Sequence, residues 1–301
     1  MSRVFWADRG QMQLLDLPET GTVCCGASRL GSLQLAGQAF SIWLQLRGSA
    51  WVEAREGRFR LQAGDWIAFE RDSRPSVQVD RDGVCIALAL DAEAQRTLSQ
   101  YSEAVLYAGR GSMPRRDRRI ALKLWRLAAE RLGADGGTDP GALRPLLLHL
   151  GALQRELHAR IPRCPGRSRQ RKRQVFGRLQ RARLYLEGNS DRVVRIGELA
   201  QLTSFSSWYF SKTFHSLYEE SPQAASVRIR LERAAELLRS SAMTIGEVAA
   251  ACGFDNCCSF ARAFKGRHGM SATQYRRAHA ARPKSAHPSE AARKALPQAR
   301  T

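Results

Sequence analysis

From Ala39 to Leu90 the apolar positions alternate with period two: Phe40, Ile42, Leu44 and Leu46, then Trp51 and Val52, Phe59 and Leu61, and Trp66, Ile67 and Phe69. Successive side chains of a strand point to opposite faces, so these stretches are expected to be short strands. Turn-forming breaks fall at Arg47-Gly48-Ser49, at Arg55-Glu56-Gly57, at Ala63-Gly64-Asp65 and from Asp80 to Gly83. Their spacing of roughly 8 to 17 residues suits a small antiparallel barrel or sandwich.

Beyond residue 110 the period lengthens. Arg116–Leu132 carries Ile120, Leu124, Trp125, Leu127 and Ala128, and Pro140–Ile161 carries Leu143, Leu146, Leu147, Leu150, Leu153 and Leu157. Both read as amphipathic helices separated by a Gly/Asp-rich turn from Gly133 to Pro140. The leucine stripe suits packing on the barrel and equally a seam with a second copy of the chain. Residues 162–173, rich in proline, glycine, arginine and lysine, read as a basic inter-domain linker, and its cations suit either solvent or DNA phosphates. Residues 280–301 mix Pro, Ala, Ser and basic residues without a period and are expected to be disordered.

Between these lies a sequence written twice. Ile196-Gly-Glu-Leu-Ala200 returns as Ile245-Gly-Glu-Val-Ala249, Phe205 returns as Phe254, and Phe210 and Phe214 return as Phe260 and Phe264. Each copy predicts a short helix, a tight break and a second helix with apolar residues at i and i+4. This is the layout of a DNA-reading helix-turn-helix, whose second helix enters the major groove. Ser206 is placed to cap the second helix of the first copy, and Thr244 with Glu247 forms a capping box that starts the second copy. With Phe210 and Phe214 inward, Ser207, Trp208, Ser211, Lys212 and His215 are left for DNA. Their counterparts are Asn256, Cys257, Cys258, Ser259, Arg262 and Lys265.

Charge sharpens this picture. The chain of 301 residues carries +20, yet residues 1–110 hold 12 basic against 13 acidic side chains, leaving 36 against 15 in the remainder. A cationic part beside a neutral one points to a polyanionic partner, double-stranded DNA here, since displacing condensed counterions drives such binding. The 44% hydrophobic content suffices for two cores. No stretch reaches the roughly 18 apolar residues of a membrane span. The start lacks a signal-peptide core, so a cytoplasmic, nucleoid-associated protein without membrane contact is expected. Seven cysteines, an odd number without a C-x-x-C pair, read as reduced thiols. The adjacent Cys257 and Cys258 suggest a redox-responsive variant of the same function, against the plainer reading that two small side chains fit the groove.

The run Gly253-Phe254 through Phe260-x-Arg262-x-Phe264-Lys265 to Gly269 and Tyr275-Arg276-Arg277 resembles the signature of the AraC/XylS family of bacterial transcription regulators. Arg230-Leu231 through Ala234 to Leu237-Leu238 is similar to that family's linker helix, and Phe40 to Phe69 is similar to its cupin-like sensor barrel. The resemblance implies an α+β multidomain chain: an N-terminal antiparallel β-barrel of the cupin-like kind over 1–110, a helical and potentially dimerising segment over 111–161, the linker 162–173, and an all-α seven-helix double helix-turn-helix domain over 174–279. Its two units span about 196–217 and 245–267. It further implies base contacts from Trp208, Ser211 and Lys212 and from Cys257, Cys258, Ser259 and Arg262, a small-molecule effector, contact with RNA polymerase, and a homodimer. Glu219 stands where a Gly is usual, Ala225 where a Tyr is usual, Ala272 where a Pro is usual, and Lys212 where an Arg is frequent.

Cupin barrels also serve as metal enzymes. Here the histidines are His149, His158, His215, His268, His279 and His287, all outside the barrel stretch, and Glu53 or Asp65 alone would make a poor transition-metal site. No catalytic residue, metal or cofactor is therefore expected, and the effector pocket cannot be assigned. Two rivals are a repair enzyme, which would need a cysteine cluster that Cys24, Cys25 and Cys85 do not supply, and a weakly specific architectural DNA binder.

Overall fold

The computed structural model describes residues 4–16, 22–90, 92, 95, 105–134 and 140–279. The tail over 280–301 and the middle of the turn between 133 and 140 lie outside the described residues. The described strands form two sheets instead of one closed barrel. One is ordered β1 (Val4–Ala7), β3 (Thr22–Ser28), β10 (Val84–Leu90), β5 (Phe40–Arg47), β8 (Asp65–Phe69) and β11 (Gly109–Ser112). The other is ordered β2 (Met12–Leu15), β4 (Ser32–Leu35), β9 (Ser76–Val79), β6 (Ser49–Ala54) and β7 (Gly57–Gln62). Neighbours are antiparallel as expected, apart from β1 with β3 and β2 with β4, which pair in parallel.

Period-two alternation explains how the sheets are buried. Residues of both sheets, among them Trp43, Phe59, Leu61, Phe69, Val77 and Ala87, share one core. The opposite face of the six-stranded sheet offers Phe40, Ile42, Leu44, Ile86 and Leu88 to a second core. That core is completed by α1 (Arg115–Ala134) and α2 (Pro140–Leu153), through Ala121, Trp125, Ala128, Leu132, Leu143, Leu146, Leu147 and Leu150. The leucine stripe is thus largely consumed inside the chain, while Leu127 and Leu148 stay exposed. The other sheet keeps one wet face, where Trp51 lies within 6 Å of both the Arg58 and Arg60 guanidinium carbons (5.5 and 5.8 Å).

The helix expected over 140–161 ends early, at Leu153. Its successor Gln154 is fully buried, and its carboxamide both accepts from the Tyr107 N–H and donates to the Tyr107 carbonyl, each at 2.9 Å. Those two bonds hold the chain in a non-helical turn (φ −93°, ψ 13°) before the four-residue α3 (Arg155–His158). Within the stretch expected as linker, Arg169–Arg173 already belongs to α4 (Arg169–Gly188). Ser168 caps α4 by accepting from Arg171 N at 3.1 Å, and the Lys172 ammonium donates to the Pro162 carbonyl at 2.8 Å.

Seven helices follow one another from Arg169 to His279: α4, α5 (Ile196–Thr203), α6 (Ser207–Tyr218), α7 (Pro222–Ser240), α8 (Ile245–Ala251), α9 (Cys257–His268) and α10 (Ala272–His279). Compactness groups them unevenly. One unit comprises 1–189 and 193–226, uniting the sheets with α4, α5 and α6; the other comprises 190–192 and 227–301. Leu184 of α4 accordingly sits in the core shared by the sheets. The β6–β7 turn meets the end of α4 so closely that a Cβ on Gly57 would fall 2.3 Å from the Gly188 carbonyl oxygen, and one on Gly188 2.3 Å from the Glu56 carbonyl oxygen. Fully buried Glu56 accepts from Arg181 Nε at 2.9 Å and from the Ser73 hydroxyl at 2.8 Å.

Candidate nucleic-acid interface

The first reading unit begins where Glu198 reaches back to accept the Arg195 N–H at 2.9 Å, satisfying one of the donors that a helix start leaves open. α5 ends at Ser204 in the left-handed region (φ 53°). Ser206 then caps α6 as its sequence predicts, accepting from Tyr209 N at 3.2 Å. Phe210, Thr213, Phe214 and Leu217 are buried and fix which face of α6 remains outside. Ser207, Trp208, Lys212 and His215 are exposed on it, and Ser211 is half-buried. The Lys212 ammonium lies 4.9 Å from the Trp208 ring centre, so two expected contact residues are brought together in a cation–π pair.

The second unit repeats the construction. Thr244 N donates to Glu247 Oε2 at 2.6 Å and Glu247 N to Thr244 Oγ1 at 3.2 Å, which also holds the Glu247 carboxyl below its usual range. Gly253 turns the chain at φ 70°, and Asn256 caps α9 by accepting from Ser259 N at 2.8 Å. Phe260 and Phe264 are buried; Asn256, Cys257, Cys258, Ser259, Arg262 and Lys265 are all exposed. Trp208, Lys212 and His215 on α6 correspond to Cys258, Arg262 and Lys265 on α9, the same i, i+4, i+7 stripe in both copies. Arg262 makes no ion pair among the described residues, so its fork is available for a planar double acceptor. Asn256 is less available, since its side-chain oxygen is occupied by the cap.

Two arginines hold the turns, a role that sequence reasoning missed. Arg178 of α4 donates to the Thr203 carbonyl at 3.2 Å and lies over Phe205 at 5.3 Å. Arg230 of α7 donates to the Gly253 carbonyl at 2.8 Å and lies over Phe254 at 4.5 Å, where burial lowers its pKa. Each guanidinium satisfies a carbonyl at the break between the two helices and stacks on the aromatic residue that follows. Their spacing, 52 positions, differs from the 49 that relates Phe205 to Phe254, so the repeat does not reveal them.

Five of the seven cysteines are buried and only Cys257 and Cys258 are exposed. Burial pushes the Cys24 and Cys85 thiols up to about 12. Among the described residues no group of His, Cys, Asp and Glu is placed to hold a metal ion, and no helix is long and apolar enough to cross a membrane.

Two capped two-helix units with matching exposed stripes have the layout of a paired helix-turn-helix. Residues 199–278 match the family profile described as a helix-turn-helix domain. Over 86 residues the chain is 40% identical to the HTH-type transcriptional regulator Rv1931c of Mycobacterium tuberculosis, covering 29% of this chain and 33% of that one. Over 166 residues it is 27% identical to the HTH-type transcriptional regulator GbdR of Pseudomonas aeruginosa, covering 50% and 44% respectively. The aligned region spans less than half the length of these curated relatives. Among solved structures, the C-terminal domain of AraT, a response regulator from Geobacillus stearothermophilus, is 30% identical with a TM-score of 0.35, covering 38% of this chain and 95% of that chain. The C-terminal part of the chain is an AraC-type helix-turn-helix domain, of the class found in transcription regulators.

Proposed function

We propose that the chain is a one-component, sequence-specific transcription regulator that binds promoter DNA through both helix-turn-helix units under the control of a small-molecule effector. The observation that carries this reading is the duplicated, unpacked stripe: Trp208, Lys212 and His215 on α6 and Cys258, Arg262 and Lys265 on α9. The helix N-termini, capped by Ser206 and Asn256, would approach base edges in the major groove. Arg262 would bond to guanine O6 and N7, and Lys212 would meet a phosphate or a guanine edge as a point charge. Ser207, Ser211, Cys257, Ser259 and Asn256 would line the first turns. Effector binding would alter how the sensor sheets hold the DNA-reading helices, and with it contact with RNA polymerase and pairing into a homodimer.

Chromatin immunoprecipitation with sequencing tests this, using the wild-type chain and Arg262→Ala. The expected result is a small set of sharp promoter peaks that the variant loses, and on DNA from such a peak Arg262→Ala weakens binding by about 1–3 kcal/mol. Broad signal indifferent to the substitution would instead establish a weakly specific, charge-driven binder.

A further inference from the structure

The first compact unit has an open cavity of about 510 Å³ where three elements converge: the loop after β8, α4 from Arg173 to Arg181 and the last residues of α5. That volume is in the range of small-ligand sites. Four arginines, Arg71, Arg173, Arg178 and Arg181, line it together with Glu70 and Asp72. Arg181 is ion-paired with Glu56 at 2.9 Å and with Asp72 at 2.8 Å, and Arg178 donates to the Thr203 carbonyl. The remaining two have no such carboxylate partner among the described residues. Arg71 Nε is buried with no hydrogen-bond partner, and Arg173 makes no ion pair, among the described residues.

Tyr107 supplies an independent sign. It is only 5% exposed and lines the cavity, and its hydroxyl is buried with no hydrogen-bond partner among the described residues. Its backbone is clamped on both sides by Gln154, and its edges pack on Phe176 at 4.9 Å and His158 at 5.6 Å. A buried hydroxyl left unpaired costs free energy that a ligand acceptor recovers. Burial also pushes the phenol up to about 12, so it meets a ligand as an O–H donor.

We propose that this cavity binds a small, multiply charged oxyanion through Tyr107, Arg71 and Arg173. The proposal rests on the effector reading above and deepens it. Arg71 Nε, the Arg173 guanidinium and the Tyr107 hydroxyl can each donate, and the two arginines match the oxygens of a carboxylate or phosphate, against the opposing carboxyls of Glu70 and Asp72 in the same wall. Occupancy reaches the first helix-turn-helix directly. Arg178, in the same wall, holds the Thr203 carbonyl at the turn that launches α6. A ligand that draws the loop after β8 toward α4 therefore changes the support of a DNA-reading helix.

The test titrates citrate and, separately, inorganic phosphate into the full chain by calorimetry at matched ionic strength, which distinguishes a carboxylate from a phosphate ligand. At least one anion binds the wild type, and Tyr107→Phe and Arg173→Ala each weaken it by roughly tenfold or more without lowering the melting temperature of the unliganded protein. Failure of both anions to bind, or undiminished binding in both variants, overturns the site. So does an Arg173→Ala chain that loses DNA affinity equally with and without the anions, since Arg173 would then serve a DNA phosphate. Binding to a promoter fragment without anion is measured in parallel. A chain that binds the promoter but neither anion sinks the cavity alone, and one that binds an anion but no promoter sinks the regulator reading alone.

Discussion

Ser204 and Glu219 take left-handed backbone angles (φ 53° and 60°) at positions where the second copy has Gly253 and Gly269 (φ 70° and 72°). A β-carbon in that region costs about 1–2 kcal/mol, so the first copy is built with strain that the second avoids. Ser204 is exposed, and Ser204→Gly is expected to raise stability by about 1 kcal/mol in denaturant unfolding. Glu219→Gly should gain less, because it also removes the exposed ion pair with Arg163 at 2.8 Å. A loss at Ser204 would mean that the local angles are not strained as argued, and equal gains would mean that the ion pair contributes nothing. Glu219 was legible in the sequence as a residue standing where glycine is usual. Ser204 was not, because the need for a left-handed residue appears only when its turn is laid over that of Gly253. The caps Ser206 and Thr244 were legible because a cap is a local bond within four residues. Arg178 and Arg230 were not, because their partners lie 23 to 27 positions away.

The same contrast holds among the strands and helices. Strands β5 to β8 announce themselves by alternation, but β3 reads Thr-Val-Cys-Cys-Gly-Ala-Ser and is buried at every position. Small residues covered on both faces leave no period to detect, and β11, with two glycines in four residues, leaves still less. The docking of the β6–β7 turn on α4 was invisible because Glu56 and Arg181 lie 125 positions apart. A methyl group added at Gly188 would lie 2.3 Å from the Glu56 carbonyl oxygen and 2.6 Å from the Phe59 ring, so Gly188→Ala should destabilise the chain by about 1–3 kcal/mol in thermal or denaturant unfolding. A neutral outcome would show that this contact yields without cost. Nearby, Glu70 faces Arg181, Glu56, Asp72 and Arg71, and burial outweighs Arg181 to raise its carboxyl from 4.5 to about 6. A raised folded-state value means the folded chain holds this proton more tightly, so stability is lost as pH rises from about 4.5 to about 6 and stays lost above. Glu70→Gln should therefore gain about 2 kcal/mol over wild type at pH 8, with the gap closing near pH 4.5; a gap independent of pH would refute the shift.

For the whole molecule, charge and compactness divide the chain at different places. Charge separates a nearly neutral first 110 residues from a strongly cationic remainder, which is what pointed to DNA from the sequence. Compactness instead joins α4, α5 and α6 to the sheets and leaves α8, α9 and α10 with most of α7 in a unit of their own. The repeat conceals this, because two copies of the same helix-turn-helix pattern suggest two equivalent halves of one domain. Their surroundings differ: Leu184 of α4 is buried in the core of the sheets, whereas Phe260 and Phe264 share a separate core with Leu231, Leu238, Val248 and Tyr275. Cooperative unfolding follows shared cores, so native-state hydrogen exchange discriminates the two divisions. Amides of Phe210 and Phe214 should open with the free energy and denaturant dependence of β5 and β10, while those of Phe260 and Phe264 open with a distinct, lower value set by the smaller core. If α6 and α9 instead open together and apart from the sheets, the two reading units form one cooperative domain, and an effector acting on the sheets would have to work on both equally instead of through the first.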